Sequence, residues 1–169
     1  MAAFPRPGIL SGSLRAAAAI HVTLEDPAGA DAQALVAELS VALEAITGAT
    51  GQASFDPGDV RGDRAGFALA RDARGHALGC GALRPLTADC AELKRMFARP
   101  GTRGVGAALL HFLERRAAGW GYVALRLSTR RVNERAVAFY LRHGYRPIAG
   151  YGRYAGSEAS QCFEKRIAA

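Results

Sequence analysis

The residues best placed to do chemistry lie between Glu92 and Leu110, in the stretch ELKRMFARPGTRGVGAALL. A run ending at Ala98 reads as a strand, and Gly104-Val105-Gly106 opens an amphipathic helix. A helix start leaves main-chain N–H groups without partners, and the macrodipole adds partial positive charge there. Glycines let an anion come close, so this loop reads as a phosphate cradle built from backbone, with Arg99 and Arg103 able to add full charges. No Gly-Lys-Ser/Thr follows, which excludes a nucleoside-triphosphate loop. Gly101, Gly104 and Gly106 are misplaced for the dinucleotide fingerprint. Close packing of a strand against a helix would use the same glycines. Lys94 and Arg95 are adjacent in the strand. Adjacent strand residues point to opposite faces, and a central strand buries both. At least one of these charges should then meet a ligand or a carboxylate, unless both stems run past the sheet edge. His21, His76, His111 and His143 lack a Cys or carboxylate at ligand spacing, so no metal is expected. Cys80, Cys90 and Cys162 form no CxxC pair and read as reduced thiols of a cytoplasmic protein.

These groups need a scaffold, and the hydrophobic pattern supplies one. A strand is expected at 20–25 and a helix at 29–46, with Leu35, Val36, Leu39, Leu43 and Ile46 at helical spacing. Residues 48–64, rich in Gly and Asp, read as a loop with room for a helical turn. Residues 66–71 and 76–83 flank the turn Asp72-Ala73-Arg74-Gly75 and form a hairpin. Then follow a strand at 91–98, a helix at 104–118, a strand at 122–128, a helix at 133–143, and strands at 145–149 and 160–167. The order predicts a mixed sheet with helices on its faces.

The context of the glycine loop is informative. It resembles motif A of the GNAT acyltransferases, a loop of the form [Q/R]-x-x-G-x-[G/A] after a strand. Residues 127–145, LSTRRVNERAVAFYLRHGY, are similar to the family's later motif, in which an Asn follows a strand and an A-x-x-F-Y-x-x-x-G-[FY] helix comes next. The resemblance runs from about residue 66 to 148. It implies an α/β fold with a mostly antiparallel sheet, a central splayed parallel strand pair and helices on both faces. It implies acetyl-CoA as donor. Main chain of Met96, Phe97 and Ala98 would pair with pantetheine. Arg103, Gly104, Val105, Gly106 and Ala107 would take the pyrophosphate. Asn133 would hydrogen-bond the pantetheine arm, or cap its helix. Arg130, Arg131 and Arg135 would lie near the adenosine, or fill surface. One departure stands out: the family's Gln or Arg position holds Gly101.

Acyl transfer to an amine needs a deprotonated amine, a polarised carbonyl and a proton for the leaving thiolate. The resemblance places Tyr140 as the general acid; packing beside Phe139 is the alternative. Glu92 is the expected base, acting directly or through water, or a carboxylate that serves structure. The acceptor walls should come from the first helix and its loop and from residues 150–158. Lys94, Arg95 and Arg84 near one cleft predict an acceptor bearing a carboxylate or phosphate, such as an amino acid. Asp56, Asp59 and Asp63 are available for its ammonium. The rivals are a protein N-terminal or lysine acetyltransferase and a non-catalytic acyl-CoA-binding module.

Composition bounds the rest. The 169 residues suit one domain, expected at 19–169 after a flexible extension at 1–18. No stretch approaches the ~18 apolar residues of a membrane span, and no membrane partner is expected. Net charge is −3 over residues 1–90 and +10 over 91–169. A basic half fits a polyanionic partner such as coenzyme A. Without a helix-turn-helix or an aromatic stripe, nucleic acid is not expected. A homodimer is left open.

Overall fold

The computed structural model describes residues 19–167; the extension expected at 1–18 lies outside the described residues. The chain forms β1 (His21–Glu25), α1 (Ala30–Thr47), β2 (Gly66–Arg71), β3 (Ala77–Pro85), β4 (Cys90–Ala98), α2 (Val105–Gly119), β5 (Ala124–Arg130), α3 (Glu134–Arg142), β6 (Arg146–Ile148) and β7 (Ser160–Arg166). Short 3₁₀ turns at Gln52–Ser54 and Pro57–Val60 interrupt the α1–β2 loop, and a third, Gly152–Tyr154, lies between β6 and β7. The strands form one sheet in the order β1-β2-β3-β4-β5-β7-β6. Among the described residues only the β4–β5 pair is parallel.

Side-chain alternation along β2 shows how the sheet is covered. Phe67 and Leu69 point to one face, where they pack with Ala32 and Leu35 of α1, with Cys80 and with Ala82. Ala68 and Ala70 point to the other, against Leu109, Leu110, Leu113 and Ala117 of α2, in a core that also takes Tyr140 of α3. Helix α1 therefore covers one face, and α2 and α3 the other.

Two irregularities in β4 create the site. First, β4 and β5 pair only at Cys90↔Ala124, Ala91↔Leu125 and Glu92↔Arg126. Beyond Glu92 the strands part, and the backbone edge of β4 faces an open wedge. Second, the register of β4 against β3 slips between Cys80↔Phe97 and Ala82↔Lys94. The extra residue is Arg95, whose φ of 53° is left-handed. This bulge corrects the alternation expected of Lys94 and Arg95. Lys94 pairs opposite Ala82 on the α1 face. Arg95 reaches Thr50 and Phe55, just beyond α1 on that same face. Both cations thus serve one side of the sheet, and Met96 resumes the alternation on the α2 side, beside the core of that face.

Candidate active site

A cavity of about 140 Å³ occupies the wedge. Leu93, Lys94, Arg95 and Met96 of β4 form one wall, and Leu127, Ser128 and Thr129 of β5 the other. Asn133, Ala136 and Tyr140 bound it on the α3 side, and Leu39, Leu43, Gly51, Ser54 and Tyr154 on the α1 side. The cavity thus joins the two faces of the sheet through the gap between the parting strands.

Tyr140 is buried, and its ring sits edge-on to Phe139 and to Tyr145. Its hydroxyl makes no hydrogen bond to the described residues, although the residue lines the cavity. Burial pushes this phenol well above its ordinary range, so it keeps its proton through neutral pH. Asn133 lies between the two expected roles: its side chain accepts from the Ala136 main-chain N–H at 3.3 Å as the cap of α3, and it lines the cavity.

Glu92 does not line the cavity. Its side chain is 1% exposed, and both oxygens are engaged. Arg84 Nε donates to Oε2 at 2.8 Å, the Tyr151 hydroxyl donates to Oε1 at 2.8 Å, and Lys94 Nζ stands 3.8 Å from Oε1. Arg84 also binds Asp59 at 2.5 Å, and Lys94 donates to the Tyr154 hydroxyl at 2.8 Å. This carboxylate partners two cations at once. Asp59 is thereby committed, and Asp56 is used as the cap of the Pro57–Val60 turn.

The segment between β6 and β7 fastens over the α1 side. Tyr151 is held by Glu92, Tyr154 by Lys94, and Arg153 donates to the Ala53 carbonyl at 2.6 Å. The sequence marks this segment as a wall; its tyrosines carry no local pattern that predicts their roles. Their partners lie 59 and 60 residues away.

At the other end of β4 the loop from Arg99 to Gly104 leads into α2. Gly104 caps the helix with φ 74° and offers no side chain to its free N–H groups. Among the described residues a methyl group there would meet only Ile20, at 3.7 Å, so none of them blocks the approach to the N–H groups. Gly101 has φ 81°, which explains why a side chain is missing at this position: the turn needs a left-handed residue. Arg103 is exposed and without an ion pair among the described residues. Arg99 differs from expectation, because it grips Glu38 of α1 through two bonds of 2.9 and 2.6 Å and is not free for an anion. Arg131 is likewise occupied, by the Glu158 carbonyl and Gln161. Arg130 and Arg135 are exposed. The four histidines form no metal cluster; among the described residues no group of three or more metal-binding side chains occurs. No helix among those residues is long and apolar enough to cross a membrane.

Comparison with known proteins agrees with this fold. Residues 35–145 match the Acetyltransferase (GNAT) family. Among solved structures, a Klebsiella pneumoniae protein assigned as an acyl-CoA N-acyltransferase is 26% identical, with a TM-score of 0.74 over 88% of this chain and 98% of that one. A GNAT family acetyltransferase from Elizabethkingia anophelis with acetyl-CoA bound is 15% identical, with a TM-score of 0.63 over 88% and 98%. The PaiA N-acetyltransferase of Thermoplasma acidophilum, in complex with coenzyme A, is 18% identical, with a TM-score of 0.64 over 88% and 99%. No curated protein sequence matches the chain.

Proposed function

We propose, for a chain that belongs to the GNAT family of acetyltransferases, transfer of an acetyl group from acetyl-CoA to the primary amine of a small metabolite. Membership of that family makes it an acetyltransferase; the acceptor and the residue roles are our reading. The observation that carries it is the small cavity of about 140 Å³ in the β4–β5 wedge, walled by both strands and by Tyr154. A peptide acceptor needs an open groove, whereas the Tyr151–Tyr154 segment is tied down across this one by Arg153, Tyr151 and Tyr154.

The donor fits the residues present. The unpaired edge of β4 at Met96, Phe97 and Ala98 offers main-chain groups to pantetheine. The N–H groups of Val105, Gly106 and Ala107, with Arg103, offer a seat to the pyrophosphate. Asn133 can donate from its amide nitrogen while its oxygen caps α3. The acceptor nitrogen bonds to the thioester carbon, the C–S bond breaks, and the sulfur takes the Tyr140 proton. The nitrogen gives up its own proton to water. Tyr140 is a high-affinity proton holder, but burial beside it raises the proton affinity of a leaving thiolate as well, which keeps the donation feasible; water returns the proton to Tyr140. Glu92 is a positioning residue here: it anchors Tyr151 and orders Arg84 and Lys94.

The test is thiol release from acetyl-CoA with a panel of small amines and lysine-containing peptides. Turnover of small amines at higher kcat/KM than peptides supports the reading, and the reverse order overturns it. Calorimetric binding of acetyl-CoA without thiol release from any amine would leave a binding module.

A further inference from the structure

We propose that Arg95 holds a carboxylate of the acceptor, so that the substrates are small amines bearing a carboxylate near the amino group. This rests on the reading that the wedge cavity receives the amine.

Three cations face the α1 side of β3 and β4, and two are spoken for. Arg84 lies between Glu92 and Asp59, and Lys94 between Glu92 and the Tyr154 hydroxyl. Arg95 makes no ion pair among the described residues. It is 9% exposed and lines the cavity. Its Nη1 donates to the Thr50 carbonyl at 3.2 Å. Its Nε is the one buried side-chain nitrogen or oxygen among the described residues without a hydrogen-bond partner. The guanidinium edge formed by Nε and Nη2 is therefore unused. That edge presents two parallel N–H donors, the geometry that a planar carboxylate accepts in bidentate fashion.

The backbone argues the same way. Arg95 adopts φ 53° at the β4 bulge, a conformation that costs a residue with a Cβ and that clusters at ligand-holding sites. Gly51 leaves the guanidinium room: a methyl group there would stand 3.3 Å from Nη1. Burial lowers the proton affinity of the guanidinium, as expected of a cation awaiting its counter-ion. Phe55, 5.5 Å from the guanidinium carbon, offers a ring face and no charge. The donor's phosphates are not that counter-ion. Arg99, where their loop begins, lies roughly 13 Å further along the strand at the usual rise per residue, and α2 covers the opposite face.

The experiment pairs phenylalanine with phenethylamine, histidine with histamine, and β-alanine with ethylamine, and reads kcat/KM by thiol release. The wild type should favour the carboxylated partner by about 10- to 100-fold, the range of a charge-assisted hydrogen-bond pair. Arg95→Met should bring the ratio close to one, and Arg95→Lys, which keeps charge but lacks the fork, should fall between. A second arm does not need turnover. With CoA present, N-acetylphenylalanine should raise the Tm of the wild type more than N-acetylphenethylamine does, and Arg95→Met should erase the difference. A wild-type preference for the decarboxylated amines, or a carboxylate preference that survives in Arg95→Met, overturns the proposal while the small-amine reading stands. If no amine releases thiol, that reading fails, and the product-binding arm alone decides for or against Arg95.

Discussion

Replacing Glu92 separates its two expected roles. In Glu92→Ala three groups lose a partner. Arg84 keeps Asp59 and is 24% exposed, so its charge stays compensated. Lys94, 8% exposed, loses the carboxylate 3.8 Å away and keeps a neutral hydroxyl. The Tyr151 hydroxyl loses its acceptor. Breaking a buried ion pair from one side costs about 3–5 kcal/mol, because the remaining charge stays desolvated. Against a total stability of about 5–15 kcal/mol, that is a large fraction, and the urea midpoint should drop accordingly. Glu92→Gln should cost less, about 1.5–3 kcal/mol, the worth of a hydrogen bond to a charged group. The amide oxygen can still accept from Arg84, while its nitrogen donates to the Tyr151 oxygen. Adding Lys94→Met to Glu92→Gln should restore part of the loss, since both members of the uncompensated pair are then gone. In kinetics, a positioning role predicts that Glu92→Gln changes kcat and KM together and leaves the shape of the pH profile intact. The reasoning fails if Glu92→Ala costs less than about 1 kcal/mol, or if Glu92→Gln lowers kcat alone and removes the acidic limb of the profile, the mark of a direct base.

Tyr140→Phe keeps the ring and removes the proton; kcat should fall about 10²–10⁴-fold, with acetyl-CoA affinity by calorimetry unchanged, and an unaltered kcat would reassign the acid. At Gly104, alanine should cost about 1 kcal/mol of stability from the left-handed backbone alone, because the space around it is open, whereas Gly104→Glu should also abolish the rise in Tm given by acetyl-CoA. Stability should fall on the alkaline side. Burial raises the Cys80 thiol from 9.0 to about 12 and holds the Tyr140, Tyr145 and Tyr151 phenols above their ordinary 10.0. Below those ordinary values both states are protonated and the contribution is whole. Above them the unfolded chain releases protons that the folded chain retains, and each group then removes about 1.4 kcal/mol per pH unit. Urea melts from pH 8 to pH 11 check this, and a flat midpoint contradicts it.

The elements were legible because their signals are local. Period-two alternation gives the β2–β3 hairpin around the Asp72–Gly75 turn, and helical spacing of Leu35 and Leu39 gives α1. The expected bounds differ from the observed ones by a residue or two. The two motifs that carry the glycine loop, Asn133 and Tyr140 were also legible, and in that order they fix a family. The bulge was not. A left-handed residue in a strand normally announces itself as Gly, and here it is Arg95, so nothing in KRMF signals that two neighbouring cations share a face. The Arg99–Glu38 pair spans 61 residues and depends on how α1 lies over the end of β4, a relation no local pattern carries.

The uneven charge of the chain takes on a definite meaning once these pairs are placed. Four acids of the first half tie helix α1, its loop and β1 to the sheet: Glu25 and Asp31 bind Arg71, Glu38 binds Arg99, and Asp59 binds Arg84. Two of those cations come from within the first half, while Arg99 is drawn from the second, so the stitching spends part of the basic excess on holding α1 and its loop to the sheet. Further basic residues of the second half pair locally, Arg126 with Glu164 and Lys165 with Glu114. Arg103, Arg130 and Arg135 remain exposed. Arg95 remains buried on the α1 side of the sheet. Exposed cations suit a large, solvated polyanion, whose binding salt will weaken; a buried one suits a single carboxylate that must shed its water to reach it. On the proposed reading the donor's phosphates and the acceptor's carboxylate would fall to different cations, and the bulge in β4 is what turns Arg95 to the α1 side.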